Sequence, residues 1–149
     1  MPPTSDQDHT APETLDLVLN AEWVAPSIVR ARLRAWLAAH AWPAAHTDEL
    51  VLAISEAVSN SIEHGYGIQA DSIVPSTDVV EVHGTIGPNG DGLRHAAFTI
   101  RDYGVWRAPT DGQTSRGHGM LIMRTCADEI AVDCTDTGTI IVLRSRPVA

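Results

Sequence analysis

Glu56, Asn60 and His64 recur every four residues within the stretch 49–67. That spacing sets a carboxylate, an amide and an imidazole in one stripe along a helix. Three kinds of chemistry compete for the stripe. It is a solvated helix flank; or it belongs to a metal site, which needs further His, Cys or carboxylate ligands and finds no HExxH or CxxC motif nearby; or it serves nucleotide chemistry. In that last case Glu56 acts as a base and Asn60 offers an amide oxygen to Mg²⁺, a hard cation that takes oxygen ligands and keeps several waters. The helix alone does not decide among the three.

Two other places carry residues of the right kind. Asp102, followed by Tyr103 and Gly104, closes a strand-like run; a carboxylate there is a turn former or a single acceptor at a pocket mouth. Gly117-His118-Gly119-Met120 leads into Leu121, Ile122, Met123 and Cys126, an apolar helical pattern. Glycines ahead of a helix let its bare N-terminal amides approach an anion, although a lone GxG is weak evidence.

The elements that must position these groups follow from periodicity. Leu15, Leu17 and Leu19 alternate with polar or smaller neighbours and predict a half-covered strand. A helix is expected over 26–41, opened by Pro26, with Ile28, Val29, Leu33, Trp36 and Leu37 as its apolar stripe. Arg30, Arg32 and Arg34 cluster in its middle, as a solvated face or a docking surface for an acidic partner. Trp42-Pro43 ends it, and Thr47 is expected to open the helix that carries the stripe, with Leu50, Val51, Ile54, Ala57, Val58 and Ile62 buried and Gly65 and Gly67 as its stop. Strands over 78–86 and 94–101 flank the turn Gly87-Pro88-Asn89-Gly90-Asp91-Gly92, a hairpin signal. Residues 107–116 read as a mobile polar loop, and 129–134 and 139–144 as a final hairpin turning at Asp136-Thr137-Gly138. This order is no βαβ alternation. It predicts a two-layer α/β sandwich, a mixed and mainly antiparallel sheet with helices on one face.

Composition narrows the function classes. The 149 residues fit one domain, and 44% hydrophobic content suffices for a core. Residues 1–13, rich in Pro, Ser, Thr and Asp, read as a disordered leader, with a single domain over 14–149. A net charge of -9 disfavours direct nucleic-acid binding or attachment to an anionic membrane by the surface as a whole. All ten bases are Arg, so a Walker lysine and a lysine nucleophile are excluded. Any phosphate must be held by backbone amides, a metal or Arg. Cys126 and Cys134 match no zinc or redox motif and are expected as buried thiols. No signal peptide or membrane span is read, and a cytoplasmic location is expected.

The run Glu56-Ala-Val-Ser-Asn60-Ser-Ile-Glu-His64-Gly65-Tyr66, then Asp102-Tyr-Gly104, then 116–123, then Gly138-Thr139, resembles the N, G1, G2 and terminal boxes of GHKL (Bergerat-fold) ATPases. Among these it is most similar to the short anti-sigma factor serine kinases, the RsbW-like group of Gram-positive bacteria, over most of residues 15–146. The resemblance implies that Glu56 is the general base toward a seryl hydroxyl and that Asn60 holds Mg²⁺ across the ATP phosphates. It implies that Asp102 accepts from the adenine amino group, that Gly104 lets the backbone pass close to the base, and that Thr139 lines the adenine pocket. Residues 107–116 would form the ATP lid. Arg116, Gly117, His118, Gly119 and Met120 would contact the nucleotide, the two glycines giving amides to the phosphates, and His64 would have an orienting or core role. The implied partners are a STAS-domain anti-anti-sigma factor and a sigma factor, and the implied state is a homodimer.

The chain departs from the family pattern at Trp106, which stands where a second glycine is common, and at Ile140 in place of a second threonine. An ATP-responsive switch without phosphoryl transfer is the alternative expectation. A histidine-kinase catalytic fragment is a third, disfavoured because no phospho-acceptor helix domain is read in so short a chain.

Overall fold

The computed structural model describes residues 13–69, 72–105 and 119–149. Its elements are strand β1 (Thr14–Asn20), helices α1 (Ala25–Ala39) and α2 (Ala44–Asn60), a π-helical turn Ser61–Gly65, strands β2 (Val79–Pro88) and β3 (Arg94–Asp102), helix α3 (Gly119–Cys126), and strands β4 (Glu129–Thr135) and β5 (Gly138–Arg144). The strands form one sheet in the order β1-β2-β3-β5-β4. Its four pairings are all antiparallel, so no parallel pair appears among the described strands. The expected two-layer α/β architecture is otherwise what is found.

Register explains which residues face the helices. Side chains alternate between the faces of a strand, and the pairings align Leu15, Gly84, Phe98, Leu143 and Ile130 in one row and Leu17, Val82, Ile100, Ile141 and Val132 in the next. Phe98, Ile100, Ile141 and Leu143 are fully buried beneath α1 and α2. The Trp36 ring of α1 meets Phe98 edge-on at 6.0 Å, and a Cβ at Gly84 would stand 2.7 Å from that phenyl ring. The third row runs Leu19, Val80, Asp102, Thr139, Cys134. A carboxylate and a hydroxyl thus occupy positions that the two rows before them fill with hydrocarbon.

Helix α2 lies between α1 and α3. Leu50, Val51, Ile54, Ala57, Val58 and, in the turn that follows, Ile62 are all buried as the periodicity predicts. Its start differs from expectation. The helix begins at Ala44 after an extended Pro43, and Thr47 is a buried first-turn residue whose N–H donates to the Pro43 carbonyl at 2.9 Å. Two more expectations are corrected. Ile28 stays 39% exposed while Ala25 and Pro26 take its place in the α1 stripe. Cys126 is buried but Cys134 is exposed, because β4 is an edge strand that no helix covers among the described residues. The arginine cluster of α1 is largely engaged: Arg30 donates to Ser55 Oγ at 2.9 Å and Arg34 pairs with Asp48 at 2.7 Å.

The end of α2 fixes the site. The chain passes into π-helical geometry, in which the Tyr66 N–H reaches back to the Ser61 carbonyl at 3.1 Å. Single π turns of this kind are concentrated at functional positions. The Tyr66 hydroxyl then donates to the Val79 carbonyl at 2.6 Å and accepts the Tyr103 N–H at 2.9 Å. One side chain therefore pins the turn between the start of β2 and the exit of β3.

Candidate functional site

Asp102 is the last residue of β3, paired with Thr139 of β5 and fully buried. Its Oδ1 accepts the Gly104 N–H at 3.1 Å, a local turn that Asp readily makes. Burial pushes its carboxyl above the ordinary range, opposed by the Ser61 hydroxyl and then by the main-chain N–H groups of Gly104 and Thr139. The second oxygen, Oδ2, has no hydrogen-bond partner among the described residues, nor have Thr139 Oγ1 and Ser61 Oγ. An orphaned buried polar atom costs about 1–3 kcal/mol. Several around one carboxylate form a site built to be completed by a ligand with a donor to offer.

Glycines let the backbone close around this carboxylate. A Cβ at Gly65 would lie 2.7 Å from Asp102 Cγ and Oδ1, and one at Gly104 would lie 1.9 Å from the Gly65 carbonyl oxygen. Gly104 is required first by the approach of two main chains. Gly65, expected as a helix stop and present in the N-box run without a role of its own, packs against the carboxylate. A cleft of about 460 Å³ opens at this seam, lined by His64, Gly65, Tyr66, Gly67, Asp78, Tyr103, Gly104 and Val105. A larger cleft of about 960 Å³ lies at the other end of the sheet by Glu13, His40 and Arg94. There the guanidinium already serves the carbonyls of His40 and Ala149, and no acid–amide pair faces it.

Asn60 closes α2 with its side chain buried, directly before Ser61. Glu56 stands one turn earlier, half-buried beside it. His64 is half-buried and lines the cleft. No group of three or more His, Cys, Asp or Glu suited to a metal occurs among the described residues. An amide oxygen without a carboxylate cage fits Mg²⁺ held chiefly through phosphates and waters. Gly119 opens α3, which packs against α2, and Met120 is half-buried against the core. Arg116, Gly117 and His118, with Trp106 and the expected lid 107–116, lie outside the described residues.

The structure therefore joins Asp102, Gly104 and Thr139 as neighbours, Asp102 and Thr139 buried and Gly104 lining the cleft, and sets Asn60 directly before Ser61 in the chain. It adds Ser61, Gly65 and Tyr66, which the N-box run contains but to which sequence reasoning assigned no site role. Ser61 had a signal in hand, since a serine following a buried asparagine in a helix is a second polar residue to satisfy. The π geometry that aims it has no signature in spacing.

Comparison with known proteins is consistent with this geometry. The profile of the histidine kinase-like ATPase domain matches residues 19–145. The anti-sigma F factor of Clostridium novyi (strain NT) is 38% identical over 102 residues, 63% of this chain and 66% of that protein. The crystal structure of the RsbU and RsbW domains of a Mycobacterium tuberculosis protein superposes with a TM-score of 0.64 at 27% identity, over 91% of this chain and 33% of the other. The chain thus spans just under two thirds of the clostridial relative and a third of the mycobacterial one.

Proposed function

The chain belongs to the histidine kinase-like ATPase family, in its GHKL anti-sigma factor kinase group, and from that membership we propose that it is an ATP-dependent protein serine/threonine kinase. Its substrate is a seryl or threonyl hydroxyl on a STAS-domain anti-anti-sigma factor, and in its other state it sequesters a sigma factor. It works in the bacterial cytoplasm as a homodimer.

The observation that carries the reading is the unsatisfied Asp102 carboxylate, buried beside Thr139 and Gly65. Oδ2 offers an acceptor where a 6-amino purine has a donor and a 6-oxo purine has none. Asn60 would hold Mg²⁺ through its amide oxygen, and the ion would supply charge neutralisation at the ATP phosphates. Glu56 takes the proton of the acceptor hydroxyl as its oxygen bonds to the γ-phosphorus; the bond from that phosphorus to the β-γ bridging oxygen breaks, and ADP carries away the electron pair. The amides at the head of α3 would meet the phosphates, with no lysine in the chain to assist them.

Transfer of γ-³²P from ATP to a cognate STAS partner tests the proposal. Glu56→Gln should slow transfer by about 10²–10⁴-fold with ATP affinity kept. An unchanged rate removes Glu56 as the base. ATP binding without any phosphoprotein favours the switch reading instead.

A further inference from the structure

Ser61 opens the π-helical turn and is wholly buried. Its main chain is occupied: the N–H donates to the carbonyls of Ala57 and Val58, and its own carbonyl accepts from Tyr66. A helical serine hydroxyl with nothing else to do bonds the carbonyl one turn back. This one does not, and Oγ has no partner among the described residues. Ser61 lies four residues before Gly65, where an added Cβ would stand 2.7 Å from Asp102 Oδ1, and so on the side of the turn that meets this carboxylate; it favours the charged form of Asp102, although the two do not close a hydrogen bond in this geometry.

Little else competes for the hydroxyl. Thr139 brings another unpartnered hydroxyl, Gly65 brings no side chain, and the Gly104 N–H is already on Oδ1. An alanine would occupy the same place without burying an orphan. Retaining a hydroxyl there is explained if it works when the pocket is filled.

We propose that Ser61 is a positioning residue of the adenine subsite, its hydroxyl donating to the Asp102 carboxylate so that Oδ2 is held toward the 6-amino group of the purine. A carboxylate oxygen has two acceptor sites, so the serine and the purine amine can share it. Ser61 thereby sharpens selection of a 6-amino purine. The inference rests on the adenine-nucleotide reading above.

Affinity titrations of the wild type and Ser61→Ala with ATP, and with purine riboside triphosphate, which lacks the 6-amino group, test it. A melting curve of each nucleotide-free protein controls for the fold. Ser61→Ala should melt close to the wild-type temperature and lose about tenfold in ATP affinity, with less than about a twofold change toward purine riboside triphosphate. An equal loss for both nucleotides would assign Ser61 to packing and overturn the inference, as would no loss for ATP. A wild type that binds the two nucleotides equally would sink the adenine reading itself, whereas wild-type selectivity that survives in Ser61→Ala removes Ser61 alone.

Discussion

Two buried serines at opposite ends of the sheet are treated differently. Ser145, just past β5 at the hairpin end, is 2% exposed and fully used: Oγ accepts the Ala96 N–H at 2.8 Å and donates to the Arg146 carbonyl at 3.0 Å. Ser61, at the Asp102 end, is as deeply buried, and its hydroxyl has no partner among the described residues. The strand between them repeats the contrast, since Phe98 and Ile100 face hydrocarbon while Asp102 faces other unsatisfied polar atoms. One end of the core supplies stability. The other gives some up to hold open a place for a ligand.

That comparison breaks if the two ends respond alike to mutation. The largest effect is expected at Phe98, where Phe98→Ala should cost about 3–5 kcal/mol of unfolding free energy in a urea titration, by losing buried area and opening a cavity against Trp36. A loss below ~1 kcal/mol would mean that this end is not the packed one. Next, Ser145→Ala should cost about 1–3 kcal/mol, because it strands the buried Ala96 N–H. Its counterpart Ser61→Ala should cost less, below about 1 kcal/mol in the nucleotide-free protein, since its hydroxyl closes no hydrogen bond there and only favours the Asp102 charge. Equal losses at the two serines would show that Ser61 is bonded after all and would erase the distinction.

The parts of this arrangement that sequence made legible are the ones set by local repetition. Period-two alternation placed the strands and both hairpins, and period 3.6 placed the buried face of α2, because each depends on neighbours a few residues away. Asp102 was readable as a strand-end carboxylate. Its burial was not, since that comes from register with Thr139 on a strand much later in the chain. Thr47 does not cap the helix, although a hydroxyl ahead of an apolar run is the usual sign of a helix start; the helix begins earlier, after extended Pro43, with no side-chain cap. Cys134 was expected inside because a cysteine outside any zinc or redox motif is usually a buried thiol, and only the strand order shows that it lies at an edge. The π turn that brings Ser61 and Gly65 to the carboxylate inserts no distinctive residue, so nothing in the sequence announces it.

The pH dependence of Asp102 follows from its environment. Its carboxyl is raised by burial in the folded chain, so the folded state holds that proton more tightly than the unfolded state does. The site therefore destabilises the nucleotide-free protein increasingly as pH rises above the ordinary aspartate range, and that contribution disappears in acid. Asp102→Asn removes the charge, keeps an oxygen for the Gly104 N–H, and supplies a donor to the unpartnered hydroxyls.

The most direct test of the central claim, that an unsatisfied Asp102 reads the adenine amino group, is calorimetric titration of ATP and GTP with Mg²⁺ into wild type and Asp102→Asn, with nucleotide-free melting curves at neutral pH. The wild type should bind ATP and not GTP. Asp102→Asn should lose about 100-fold or more in ATP affinity while melting at or above the wild-type temperature. An Asp102→Asn protein that binds ATP as the wild type does, or that unfolds several degrees earlier, would make Asp102 a structural residue and contradict the account.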